Sequence, residues 1–237
     1  MSKHIPKNIL FLSVTSRLGG GEMMLLNILD NLNREKFNPI VVLPSDGPLR
    51  QELIKRNIKC GIVLNTQSYS KVWPFPFLAQ VLKFIYWIVK EDIDLMHANG
   101  VEVCRAAGIA AFITGCKSIC HLHSETSKKD LKYSFIVPPH TVIACCEDIA
   151  RAIRTFLPPV PRRTSVRTLV NSIDVSRFKV VLDSEIRAVK ILFNLDPKEF
   201  VVTTVGDLSE GKGVKYFLLS FLPVKLLKFL KSLKAKS

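Results

Sequence analysis

The stretch ILFLSVTSRLGGGEMMLLNILDNL, residues 9–32, decides the fold. Ile9 to Val14 is a short apolar run that predicts a buried strand. Gly19-Gly20-Gly21 then breaks the chain, and a helix starts at Glu22 with Leu25, Ile28, Leu29 and Leu32 on one face. Strand, glycine loop and helix in that order open a parallel α/β sheet.

Working outward, the alternation repeats. Strands are predicted at Pro39–Leu43, Ile58–Leu64, Ile93–Met96 (ending at His97), Ser118–Leu122 (ending near His123) and Thr141–Cys145. Helices are predicted at Leu49–Arg56, at Phe77–Lys90 after the breaker Trp73-Pro74-Phe75-Pro76, at Val101–Ile113, and after Cys145 with Ile149, Ile153, Phe156 and Leu157 on one face. This pattern implies a Rossmann-like parallel sheet with helices on both faces. Ligands of such sheets sit at the carboxyl ends of the strands, where Gly19 to Glu22, His97 and His123 are expected to gather. After Pro158-Pro159-Val160-Pro161 come a strand at Ser165–Val170, a turn at Asn171–Asp174 and a helix at Ser184–Leu195. A new strand is expected at Phe200–Val205, then a glycine-bearing loop to Gly213, and a mostly helical end interrupted by Pro223. The expected division is a Rossmann-like domain over 1–170, a linker over 171–198, and over 199–237 the start of an incomplete second Rossmann-like domain.

The net charge of +14 favours anionic partners: a phosphorylated substrate, nucleic acid or an acidic membrane surface. Nucleic acid is disfavoured, because the usual motifs and an aromatic-basic stacking platform are missing. Trp73 to Lys90 mixes aromatics with lysines as interfacial helices do, but without a basic polar face it reads rather as a core helix; Lys225 to Lys231, alternating Lys with Leu and Phe, has the better claim to be an amphipathic membrane-binding segment. Phe77–Val89, about 13 residues, is too short for a spanning helix. The opening residues lack a secretory signal, so a reducing, cytoplasmic setting with free thiols is expected for the six cysteines, with peripheral membrane contact open.

Four groups of residues are candidates for chemistry. The triple glycine can present backbone N–H groups to an anion at a helix start, or be a flexible turn. It fails the dinucleotide pattern, since Met24 takes the last glycine position. His97 and His123 can hydrogen-bond a sugar hydroxyl or stabilise developing charge, or be edge histidines with ordinary partners. Cys116, Cys120, His121 and His123 superficially suggest zinc, but strand alternation separates neighbours and no second cluster gives a standard spacing, so no metal is expected. Lys212, between Gly211 and Gly213, can contact a phosphate or simply be solvated.

Read in order, the segments resemble the retaining glycosyltransferases of family 4, which have two Rossmann-like domains with the active site between them. The resemblance is carried by Gly19-Gly20-Gly21-Glu22, Asp94-Leu95-Met96-His97, Cys120-His121-Leu122-His123, Val142 to Glu147, Leu169-Val170-Asn171-Ser172-Ile173-Asp174 to Phe178, and Val205-Gly206-Asp207-Leu208 to Lys212-Gly213. It implies transfer of a sugar from a nucleoside diphosphate donor, with retention, to a glycan, lipid or small molecule, as in polysaccharide biosynthesis; no further cofactor is implied. By the same resemblance His123 is the catalytic residue touching the transferred sugar. Gly19, Gly20, Gly21 and Lys212 lie by the donor diphosphate or sugar, and His97 and Glu22 lie on the acceptor side.

Departures from the family pattern accompany the match. Asp207 stands where an arginine is usual, a charge reversal that at about 4 Å is worth several kcal/mol. Ser172 replaces a turn glycine, and Cys146 replaces a helix-capping serine. The family's later pair of glutamates has no counterpart. The expectation is therefore a truncated copy with little or no transfer activity, the alternative being a non-catalytic module that binds an anionic or membrane-borne acceptor.

Overall fold

The computed structural model describes residues 5–63, 74–157, 164–206 and 212–221. The chain divides into two compact units, Met1–Asp174 and Val175–Ser237.

The first unit is built on seven parallel strands: β1 (Lys7–Ser13), β2 (Phe37–Leu43), β3 (Lys59–Ile62), β4 (Leu95–Asn99), β5 (Lys117–Leu122), β6 (Thr141–Ala144) and β7 (Ser165–Thr168), in the order β3-β2-β1-β4-β5-β6-β7. Helices α1 (Gly20–Asp30), α2 (Pro48–Lys55), α3 (Pro74–Lys90), α4 (Cys104–Thr114), α5 (Lys128–Ser134) and α6 (Glu147–Phe156) fill the crossovers. Strand alternation sorts the core into two layers. Leu10, Leu12, Ile40, Val42, Met96, Ala98, Cys120 and Leu122 pack with α3, α4 and α6, whereas Ile9, Phe11, Val41 and Leu43 pack with Leu25, Leu26 and Leu29 of α1 and Leu49 and Leu53 of α2. β1 is thus buried on both sides, which is why its sequence is continuously apolar.

The small residues of α4 have a steric reason. A Cβ on Gly108 would lie 2.5 Å from the Val137 carbonyl oxygen, so only glycine lets α4 meet that backbone. Cys146 takes the N-cap position of α6 without a side-chain cap bond, as its replacement of serine implies. Ser172 needs no positive φ. Its hydroxyl and carbonyl oxygens both accept from Asn27 Nδ2 at 3.0 Å, tying the segment after β7 to α1.

Two strand expectations change. β4 continues past His97 to Asn99, so His97 lies inside the sheet. Phe200–Val205 forms no strand: no sheet partner faces it among the described residues, and Phe200 and Val205 are over 90% exposed. The described part of the second unit otherwise holds α7 (Asp183–Leu192) and α8 (Val214–Ser220). Leu64, Lys71, Trp73, Pro158 to Pro161, Asp207, Gly211 and the Lys225–Lys231 segment lie outside the described residues.

Gly108→Val is expected to destabilise the first unit by about 1–3 kcal/mol through forced displacement of the Val137 backbone. Urea unfolding at constant pH measures this, and an unchanged midpoint would refute the close contact.

Candidate functional site

Between β1 and β4 the chain order reverses, because β1 leads to β2 on one side and β4 to β5 on the other. The loops leaving their carboxyl ends diverge there, as at the ligand crevice of other open α/β sheets. A cleft of about 840 Å³ opens at this place, walled by Val14 and Thr15 after β1, the first turn of α1, Asn99 to Glu102 after β4, and His123 to α5 after β5.

One side-chain network ties these walls together. Asn99 Nδ2 donates to the Gly21 carbonyl (3.2 Å), and Asn99 Oδ1 lies 2.8 Å from His123 Nε2. The Gly21 oxygen can only accept, so the Asn99 amide nitrogen must face it and its carbonyl must face the imidazole. His123 therefore carries its proton on Nε2 and donates it to Asn99. Its Nδ1 is buried and makes no hydrogen bond. A Cβ on Gly21 would lie 3.1 Å from His123 Cδ2, so the bare α1 turn gives the ring its seat.

The three glycines differ in what they do. Gly19 is the extended N-cap of α1, and a Cβ there would lie 2.9 Å from Glu22 Oε2. Gly20 faces open space, and neither it nor Gly19 lines the cleft, whereas Gly21 does. Glu22, third in the helix, is buried, and its carboxylate lies back against Gly19 at the helix start. Burial raises its pKa foremost; the backbone N–H groups of Glu22 and Gly19 oppose the rise, the neighbouring Glu102 adds to it, and the Ser13 hydroxyl opposes it. The helix start is thus already occupied by a carboxylate. Glu102, Glu125 and Asp130 also line the cleft, against one lysine, Lys129.

His97 is a correction. Its ring does not line the cleft; it is buried in the sheet against Phe11 (4.9 Å between ring centroids) and His121 (5.6 Å). His121 is fully buried and stands 4.2 Å from His123, so the three imidazoles form a column running from cleft to core. Burial, and then the neighbouring rings, push His97 down to about 3 and His121 to about 4; burial also lowers His123. Cys120 lies on the opposite sheet face from His121, its sulfur against that of Cys104. Lys212 belongs to the second unit, exposed beside Gly213 (φ +68°), which caps α8.

The sequence reading had passed over Asn99, Glu102 and all of α5. Asn99-Gly100 is a loop signal at a strand end, and Ser127-x-x-Asp130 is a helix-start signal. The Ser127 hydroxyl accepts from the Asp130 N–H (3.1 Å) and donates to its carboxylate (2.6 Å).

The neutral column makes stability depend on pH. The unfolded chain binds protons at His97 and His121 as pH falls below about 6.5, while the folded chain does not until about 3 and about 4, respectively. Stability contributed by these rings is thus complete above about pH 6.5 and declines on acidification, by up to about 1.4 kcal/mol per pH unit for each ring. Urea unfolding between neutral and mildly acidic pH is expected to show a shallower decline in His121→Phe than in the parent chain. Parallel profiles would remove the buried-histidine explanation.

The sequence profile described as Glycosyltransferase Family 4 matches residues 18–177. No curated protein matches the chain. Among solved structures, HepE of Anabaena in complex with UDP and glucose aligns with a TM-score of 0.61 and 21% identity, over 79% of this chain and 50% of that one. A glycosyltransferase from Rickettsia africae aligns at 0.62 and 16%, over 81% and 51%. The lipopolysaccharide outer core galactosyltransferase WaaB, in its apo form, aligns at 0.55 and 17%, over 74% and 48%. At these identities the likeness is one of fold, and the chain spans about half the length of each neighbour. With the profile covering the glycine turn, the Asn99–His123 network and every cleft wall except Val14 and Thr15, the chain belongs to glycosyltransferase family 4.

Proposed function

We propose that this chain supplies the acceptor-side half of a retaining glycosyltransferase that moves a sugar from a nucleoside diphosphate donor to a glycan, lipid or small-molecule acceptor in polysaccharide synthesis. The observation that carries the reading is His123, held over the α1 turn by Asn99 at the mouth of the switch-point cleft. HepE, with the same fold, was crystallised with UDP-glucose. No cofactor beyond the nucleotide sugar is required by this reading. A cytoplasmic protein that meets the membrane at its surface is part of it.

The cleft's chemistry suits a polyol. Carboxylates at Glu22, Glu102, Glu125 and Asp130 accept hydrogen bonds from hydroxyl groups and repel a free phosphate. For His123 to bind a sugar hydroxyl, its bond to Asn99 is exchanged for one to the sugar, a swap between similar partners that costs about 1 kcal/mol or less. The uncharged ring keeps that exchange free of a desolvated cation. Gly19 to Gly21 and Lys212 remain the groups assigned to the donor diphosphate. Glu22 is assigned to the acceptor side from its place at the start of α1, and His97 supports the site from beneath.

A second reading, a non-catalytic module for an anionic or membrane-borne acceptor, is favoured by the cleft being built wholly from the first unit. A thermal-shift panel separates the two. Saccharides and nucleotide sugars are expected to stabilise the protein, with His123→Ala weakening saccharide affinity about tenfold, the value of one hydrogen bond. Stabilisation by acceptor-like anions alone would select the module, and no response to any saccharide would overturn the site.

A further inference from the structure

Two of the six cysteines touch in the core directly beneath the cleft. Cys104 is the first residue of α4 and Cys120 the fourth of β5. Both are buried free thiols, and their sulfurs lie 2.7 Å apart. A disulfide bond is about 2.05 Å long, which leaves about 0.7 Å to close by side-chain rotation. The Gly100 carbonyl oxygen stands beside both, 3.2 Å from Cys104 Sγ and 3.9 Å from Cys120 Sγ, and Gly100 itself lines the cleft. As packing, each thiol is only a small hydrophobe that alanine would nearly replace. Set against each other, they can also react.

We propose that Cys104 and Cys120 are an oxidation-driven lock, closing into a disulfide when hydrogen peroxide reaches them. Two thiols and one peroxide give one disulfide and two waters. One sulfur attacks the peroxide and forms an S–O bond as the O–O bond breaks; the departing hydroxide takes the thiol proton and leaves as water. The second sulfur then attacks the first, the S–S bond forms, and the sulfenic oxygen leaves as water with the second thiol proton. Two electrons pass from the sulfurs to the peroxide oxygens. Burial above all, with the Cys120 sulfur and then Glu102 adding to it, holds the Cys104 thiol protonated. The lock is therefore slow, and the core keeps bulky thiol reagents out. A reducing setting holds it open.

The place of the pair gives the bond its consequence. Cys104 comes two residues after Glu102, which closes the cleft wall that starts at Asn99, and Cys120 comes three before His123. A bond between them ties the root of one wall to the strand that leads to the other. It also closes a short loop of chain, from 104 to 120, and so restricts the unfolded state. The bond forms or fails to form whatever the cleft binds, so a failed saccharide titration leaves it standing.

Trypsin puts the two cysteines in separate peptides, 91–105 and 118–128, each with no other cysteine. The full 237-residue chain is treated with hydrogen peroxide, its remaining thiols are blocked with N-ethylmaleimide, and it is digested without reductant. Mass spectrometry is expected to find the two peptides joined, and dithiothreitol to part them. The oxidised chain is expected to unfold several degrees above the reduced one, roughly the gain of a short closed loop, and Cys104→Ala and Cys120→Ala are expected to lose that gain. The joined peptide is read in the parent chain, so it decides the matter even if an alanine variant fails to fold. Recovery of both peptides unjoined, or of either joined to Cys116, Cys145 or Cys146, overturns the assignment. A joined peptide with no rise in unfolding temperature overturns the lock.

Discussion

Two adjacent parallel strands whose crossovers leave in opposite directions cannot both close over their carboxyl ends. β1 passes by α1 to β2, β4 passes by α4 to β5, and α1 and α4 pack on opposite faces of the sheet. The gap between their loops is therefore imposed by connectivity, whatever side chains fill it. Glu22, Asn99 and the inner end of the histidine column are buried polar groups arranged around that gap. Asn99 closes β4, His123 follows β5, and Gly21 opens the helix after β1; one amide joins all three.

The electrostatics of this gap run against those of the chain. The protein is strongly basic, yet its cleft is lined by four carboxylates and a histidine whose ring burial keeps uncharged. A helix start usually attracts anions, but here Glu22 supplies the anion from within. The basic surplus lies elsewhere, including the outward lysines of α3. A basic exterior and an acid-lined cleft are thus separated on the same chain.

Much of this was legible because it is written in apolar periodicity. Leu10 and Leu12 face one layer and Phe11 the other, and a run buried on both sides needs no tertiary information to be recognised. The family resemblance, too, is carried by short segments, and the profile match spans those from Gly19 to Asp174. What escaped was what periodicity does not encode. His97 reads as a polar strand end, but Ala98 and Asn99 continue pairing with β1 and bury it. Asn99 is an amide whose importance lies in which two loops flank it. Phe200 to Val205 has strand composition, and composition cannot provide a neighbouring strand. The triple glycine was readable as one motif, yet its members serve three purposes, set by Glu22, by open space and by His123.

Arg105 shows how the packing of α3 reaches the cleft. To cover the sheet, α3 uses the stripe through Val81, Phe84 and Ile88, and Phe77 packs on the same side. Sandwiched between Phe77 and Tyr133, with Nη1 bonded to the Tyr133 hydroxyl at 2.5 Å, Arg105 couples that packing to the cleft wall. The shape of the cleft at α5 therefore depends on how α3 sits on the sheet as well as on the strand ends.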